Sequence, residues 1–116
     1  MTPEQMRSFA KQIPALLIQE IKRGTKITDE TWALEYLGLY CDDSVLVVPF
    51  LLERMYNAHS SVVVEGGLVG LVCNDNHIKY LNLNAEELKK LLNFIQNHQS
   101  SVVRSMIEEL ETALNA

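Results

Sequence analysis

An internal repeat constrains the fold of this chain more than any other feature of its sequence. The tetrapeptide Ser60–Val63 recurs unchanged 40 positions later as Ser100–Val103. The apolar residues that precede it align at the same offset of 40 positions. Val48, Leu51, Leu52 and Met55 align with Leu88, Leu91, Leu92 and Ile95, respectively. Their spacing is that of one face of an α-helix. A repeat of this period is typical of stacked helical units, each of which buries its apolar face against the next.

Residues 62–73 can be interpreted in two ways. Their valines favour a strand and their glycines disfavour a helix, so a β-hairpin at about 62–83 within an α+β fold is one interpretation. The repeat favours a helix, because it aligns Val63, Gly66, Gly67 and Gly70 with Val103, Met106, Ile107 and Leu110. These positions have the spacing of the buried stripe of a helix. We therefore predict that 62–73 is helical, with glycines that let a neighbouring backbone approach closely.

Capping residues and prolines predict where several helices begin and end. Thr2 and Gln5 form a capping-box pattern around Pro3. Pro14 predicts a kink or break in the first apolar run, because proline removes an amide donor and crowds the carbonyl four residues earlier. Further residues typical of helix N-termini are found at Thr28–Asp29, Asp42–Ser44, Ser60–Ser61, Asn84 and Ser100–Ser101.

A weaker third copy of the repeat lies upstream. Residues 13–17 (Ile-Pro-Ala-Leu-Leu) match 48–52 (Val-Pro-Phe-Leu-Leu), and 33–38 read Ala-Leu-Glu-Tyr-Leu-Gly. At these residues the chain resembles the HEAT-type, armadillo-like α-helical repeats. The resemblance implies one all-α domain, a short right-handed solenoid of about six helices, with repeats at about 3–41, 43–73 and 85–115 and a connecting insertion at 74–84. It says almost nothing about function, since such repeats are scaffolds.

The overall composition excludes several classes of function. A net charge of −5 argues against direct nucleic-acid binding, which needs a cationic surface. No apolar run reaches the ~20 residues that span a bilayer, and the first residues have no signal-peptide core. Two cysteines are too few for a disulfide framework. We expect a cytoplasmic protein, a monomer or weak dimer that does not contact membranes.

The HEAT resemblance also predicts a binding surface, because it places the second helix of each repeat on a concave side. Those helices are strongly acidic, whereas the first helices carry most of the lysines and arginines. The predicted partner-binding residues are Asp29, Trp32, Glu35, Tyr36, Glu65, Glu108 and Glu111. An acidic face of this kind attracts a basic partner. The alternative is that the acids are only solvated and that Trp32 packs against a neighbouring repeat.

No catalytic residues, metal ligands or cofactor sites are predicted. Cys73, Asp75 and His77 are the only cluster with suitable chemistry, and further groups would have to converge on them. The glycines at 66–70 lack the lysine and Ser/Thr of a phosphate-binding loop. We therefore expect a small inhibitor or immunity-type protein that neutralises a basic effector such as a nuclease toxin. The alternatives are a non-catalytic adaptor or assembly subunit that binds a peptide or helix, and an enzyme using Cys73, His77 and Asp75.

Overall fold

The computed structural model describes residues 1–24 and 27–116, with only the backbone described for 27 and 28. These residues form helices and no strand. The helices are α1 (Pro3–Gln12), α2 (Pro14–Lys22), α3 (Ile27–Tyr40), α4 (Ser44–Tyr56), α5 (Ser61–Val72), α6 (Asp75–Leu83), α7 (Ala85–Gln96), α8 (Ser101–Ser105) and α9 (Ile107–Leu114). The predicted all-α class is confirmed.

The alternative β-hairpin at 62–83 is wrong. Residues 61–72 form helix α5, and residues 75–83, predicted as a connecting insertion, form helix α6. Valine and glycine propensities are outweighed here because Val63, Val64 and Leu68 are fully or almost fully buried. Burial of an apolar face stabilises a helix more than local propensity destabilises it.

The glycines of α5 permit close packing against α3, as the repeat predicted. A Cβ atom built on Gly66 would lie 2.5 Å from the carbonyl oxygen of Thr31, and one built on Gly70 would lie 3.0 Å from the Cα of Gly38. These distances leave no room for a side chain. Because Thr31 lies beside Gly66 and Gly38 beside Gly70, α3 and α5 run parallel.

Most predicted helix boundaries agree with the structure. The capping box of α1 is present, with the Thr2 amide donating to Gln5 Oε1 at 2.9 Å. The first apolar run breaks between Gln12 and Pro14. Asn84 precedes α7, but its side chain makes no capping bond and donates instead to the Tyr80 carbonyl at 2.6 Å. The predicted role of the Thr28 side chain lies outside the described residues.

The helices enclose one continuous apolar core. The repeat residues Val48, Leu51, Met55, Leu91 and Ile95 are fully buried in it. Helix α1 flanks α3, α4 lies against α5, and α6 packs against α4, α5, α7 and α9. The Cα radius of gyration is 13.1 Å, close to the ~13 Å of a compact domain of this length.

The helical segments outnumber the about six predicted. Pro14 divides the first run, residues 75–83 add a helix, and Met106 separates α8 from α9. No helix of the described residues has the length and apolar character needed to cross a membrane.

Candidate functional site

The parallel pair of α3 and α5 forms an outer surface that we call the α3–α5 face. By helical spacing it carries Trp32, Glu35 and Leu39 from α3, and Val62, Glu65 and Val69 from α5. These positions point away from the core stripes of both helices, which contain Leu34, Leu37, Val64 and Leu71. Close contact at the glycines holds the two rows at a short separation. The face therefore combines exposed apolar groups with two carboxylates.

Trp32 is the largest apolar side chain on the α3–α5 face. It is 45% exposed, and Val62 on the neighbouring helix is 48% exposed. Glu35 and Glu65, on the same outer surface, are half-buried. An exposed indole beside carboxylates is a common arrangement in protein interfaces, where aromatic anchors supply much of the binding energy.

Tyr36 lies at the edge of this face, against α1. The guanidinium carbon of Arg7 is 5.5 Å from the Tyr36 ring centroid and 5.6 Å from that of Tyr40, and Lys11 Nζ is 5.0 Å from the Tyr40 ring. These cation–π contacts fix α1 to α3. They also place two cations beside α3, so the predicted separation of acidic and basic helices is incomplete.

The other predicted partner-binding residues occupy different positions. Asp29 is half-buried in the first turn of α3. Glu108 and Glu111 are exposed on α9, where they line a shallow recess with a volume of about 700 Å³ beside the last residues of the chain. The structure thus brings five of the seven residues onto the adjacent helices α3 and α5, with Glu108 and Glu111 on a separate helix.

One acid of α3 is already paired within the protein. Glu30 Oε1 accepts a hydrogen bond from Arg54 Nη2 of α4, and the two side chains are only 14% and 31% exposed. This ion pair joins α3, one of the two helices of the α3–α5 face, to α4. Glu30 therefore contributes less negative charge to that face than its sequence position indicates.

A buried polar network closes the ends of α3, α4 and α6. His77 is fully buried, and its Nε2 lies 2.9 Å from the carbonyl oxygen of Gly38. A carbonyl only accepts, so Nε2 carries the proton and Nδ1 accepts from the hydroxyl of Ser44 at 2.7 Å. Burial lowers the pKa of His77, although the Gly38 carbonyl and Asp42 oppose that effect. His77 is thus neutral near pH 7.

Asn74 extends the same network. Its side-chain amide donates to the Gly38 carbonyl and to Asp42 Oδ1, both at 2.9 Å, while its own oxygen accepts from the Asn76 amide at 3.0 Å. The carbonyl oxygen of Gly38, near the C-terminal end of α3, thereby accepts hydrogen bonds from the side chains of Asn74 and His77. These bonds satisfy polar groups that burial would otherwise leave without partners.

The hypothesis of an enzyme using Cys73, Asp75 and His77 finds no matching geometry. His77 Nδ1 contacts Ser44 and Nε2 contacts the Gly38 carbonyl, and the Cys73 side chain is exposed. Cys41 is buried, and burial raises the pKa of its thiol. Within residues 1–24 and 27–116, no group of three His, Cys, Asp or Glu side chains is arranged to hold a metal ion.

Sequence reasoning missed the contacts that join distant positions. The Ser44–His77 and Glu30–Arg54 pairs are separated by 33 and 24 positions, respectively. Only the tertiary packing brings them together, so no local motif could have found them. Comparison of the chain with protein-family models, with curated proteins and with solved structures gives no match.

Proposed function

We propose that this chain is a non-catalytic protein-binding module that recognises a basic partner through the α3–α5 face. The observation that carries the proposal is the half-exposed Trp32 beside the carboxylates of Glu35 and Glu65. The indole offers a rigid apolar anchor with few rotamers to order on binding. The carboxylates, in a chain of net charge −5, favour the approach of positive charge.

The most specific form of the proposal is an inhibitor or immunity-type protein that neutralises a basic effector such as a nuclease toxin. A small acidic protein can block such an enzyme by covering its cationic substrate-binding surface. We place this activity in the cytoplasm, in keeping with the two free thiols Cys41 and Cys73.

A three-repeat, right-handed solenoid is the architecture that we propose behind this function. In that arrangement α3, α5 and the α8–α9 segment are the second helices of successive repeats. Its support is the parallel packing of α3 on α5 and the contact of α5 with α8 and α9. The α3–α5 face would then lie on the concave side and continue toward Glu108 and Glu111.

An adaptor that binds a peptide or an amphipathic helix is the second candidate. The exposed side chains of Val62 and Val102, 48% and 52% accessible, favour it because they add apolar area that an electrostatic interface does not need. The two candidates differ in salt dependence. Association with a basic effector weakens as ionic strength rises, whereas an apolar interface is little affected.

The test is capture of a partner on the immobilised chain, followed by a binding measurement with both proteins purified. We expect a basic partner whose dissociation constant rises by about tenfold or more between low and high salt. The double variant Glu35→Gln/Glu65→Gln should reproduce that loss at low salt, and Trp32→Ala should weaken binding at both salt concentrations.

The matched control is Glu4→Gln/Glu86→Gln, which removes the same charge from exposed positions on α1 and α7. It should leave binding nearly unchanged if the charge of the α3–α5 face matters. A partner that binds with no salt dependence and tolerates Trp32→Ala would overturn the proposal.

A further inference from the structure

A strip of apolar side chains lies on the outer side of α7. Leu88 and Leu92 are half-buried there and, together with Ala85, line a recess with a volume of about 660 Å³. Leu83, the last residue of α6, lies two positions before α7 begins and is 85% exposed. We call this surface the α7 face, and it consists of Leu83, Ala85, Glu86, Leu88, Lys89 and Leu92.

The internal repeat contains a second copy of this strip, in which the side chains are covered. Val48 and Leu52 of α4 align with Leu88 and Leu92 at the offset of 40 positions. Val48 is fully buried and Leu52 is 3% exposed, in a helix that packs against α3, α5 and α6. A further helix packed on the α7 face would bury Leu88 and Leu92 in the same way.

The charges on α7 fit a second copy of this chain. Each copy has a net charge of −5, so two copies repel each other over most of their surfaces. The first two turns of α7 are neutral, however, since Glu86 and Glu87 are balanced by Lys89 and Lys90. In a two-fold contact, residue i meets residue j of the copy and j meets i. An antiparallel contact with Leu88 near the axis places Glu86 of each copy beside Lys89 of the other.

We propose that the α7 face is the contact surface of a homodimer in which two copies of α7 pack antiparallel about a two-fold axis. Leu88 packs near the axis, and Leu92 meets Leu83 of the second copy. The two Glu86–Lys89 pairs flank this apolar centre. The α7 face and the α3–α5 face share no helix, so the inference does not depend on the proposed function.

The test is sedimentation equilibrium of the whole chain over a range of concentrations. We expect a monomer–dimer equilibrium with a dissociation constant of about 100 µM, as for a small interface. Lys89→Glu and Glu86→Lys, both at exposed positions, should each weaken self-association by about tenfold or more, because each creates two like-charge pairs. A chain that stays monomeric up to about 1 mM would overturn the inference.

An equimolar mixture of the two charge variants tests the antiparallel pairing directly. In the heterodimer, the variant with two glutamates faces the variant with two lysines, so both pairs again have opposite charges. The mixture should therefore associate about as tightly as the parent. Glu4→Lys is the control, because it changes the net charge as Glu86→Lys does but at an exposed position on α1. It should leave self-association nearly unchanged. A mixture that does not associate would overturn the inference.

Leu83→Ser tests the apolar part of the contact. We expect it to weaken self-association by about fivefold, because the leucine side chain is no longer buried against Leu92 of the copy. Val45→Ser is the matched control, since Val45 is 75% exposed on α4, and it should have no effect. A parent-like dissociation constant in Leu83→Ser would contradict the antiparallel arrangement.

Self-association and partner binding can be measured separately. Well below the expected dissociation constant, at about 1 µM, the chain is a monomer. Substitutions on α7 should therefore leave partner binding through the α3–α5 face unchanged at that concentration. A chain that dimerises but binds no basic partner would contradict only the proposed function, and a monomeric chain that binds one would contradict only the homodimer.

Discussion

The backbone of Gly38 in α3 lies directly against the backbone of Gly70 in α5. A side chain at either position would overlap the other helix, so the two glycines set the distance between the helices that form the α3–α5 face. That distance in turn determines how closely the row of Trp32 and Glu35 approaches the row of Val62 and Glu65.

Gly70→Ala should destabilise the protein by about 1–3 kcal/mol, because the new methyl group forces the two backbones apart. Alanine would stabilise an exposed helical position by about 1 kcal/mol, so the sign of the change is diagnostic. Gly38→Ala, whose methyl would lie 2.4 Å from the Cα of Gly70, should destabilise the protein at least as much. Urea unfolding measures both. A Gly70→Ala variant at least as stable as the parent would contradict the close packing.

Stability should fall as the pH drops below about 6.5, the usual pKa of histidine, through the protonation of His77. Burial lowers the pKa of His77 in the folded state, so the unfolded chain takes up the proton first. The neutral form therefore stabilises the fold above pH 6.5. This contribution is lost by about 1 kcal/mol per pH unit as the pH falls toward the folded-state pKa.

The measurement is the free energy of unfolding of the parent and of His77→Gln, each between pH 7.5 and 5.5 (about one unit on either side of the usual histidine pKa). The difference between them should shrink toward the acid end, because glutamine does not titrate. His59→Gln, at an exposed position, is the control and should parallel the parent. A constant difference across the range would show that His77 does not titrate differently in the folded and unfolded states.

The two cysteines should differ strongly in thiol reactivity. Cys73 is exposed, whereas Cys41 is buried and burial raises the pKa of its thiol. Because the thiolate is the reactive form, a disulfide reagent at neutral pH should modify Cys73 in a fast phase and Cys41 only slowly. Cys73→Ser should abolish the fast phase. Two fast phases in the native protein would mean that the C-terminal end of α3 is open to solvent.

The Glu30–Arg54 pair should show measurable coupling in a double-mutant cycle. Its side chains are 14% and 31% exposed, so solvent screens their attraction only in part. We expect a coupling energy of about 1 kcal/mol from Glu30→Gln, Arg54→Gln and the double variant. The Glu20–Arg23 pair, in which the arginine is 73% exposed, is the control and should give almost none. Equal coupling in both pairs would indicate that burial does not strengthen the first.

Much of the helical framework could be predicted from the sequence, and the residues concerned explain why. The capping box at Thr2, the break at Pro14 and the caps at Ser60 and Ser100 depend on neighbours within a few positions. The helix at 61–72 followed from the alignment of Gly66 and Gly70 with the apolar residues Met106 and Leu110 of the repeat. The helix at 75–83 was missed because it lies in a segment without a counterpart in the repeat.

The candidate sites were predicted less completely. Trp32 and Glu35 lie on α3 and Glu65 lies on the adjacent α5, where helical spacing places all three on the same outer surface. The contacts of Arg7 with Tyr36 and of Lys11 with Tyr40 were not predicted, since the position of α1 against α3 depends on packing between whole helices.

The sequence by itself determined the helical class, the caps and the glycine stripe, because each depends on spacing along one helix or between repeated units. Only the tertiary structure decided that Gly38 meets Gly70 and that Ser44 meets His77. Such contacts depend on the relative positions of packed helices. Packing is a collective result of filling the core, and no single stretch of sequence specifies it.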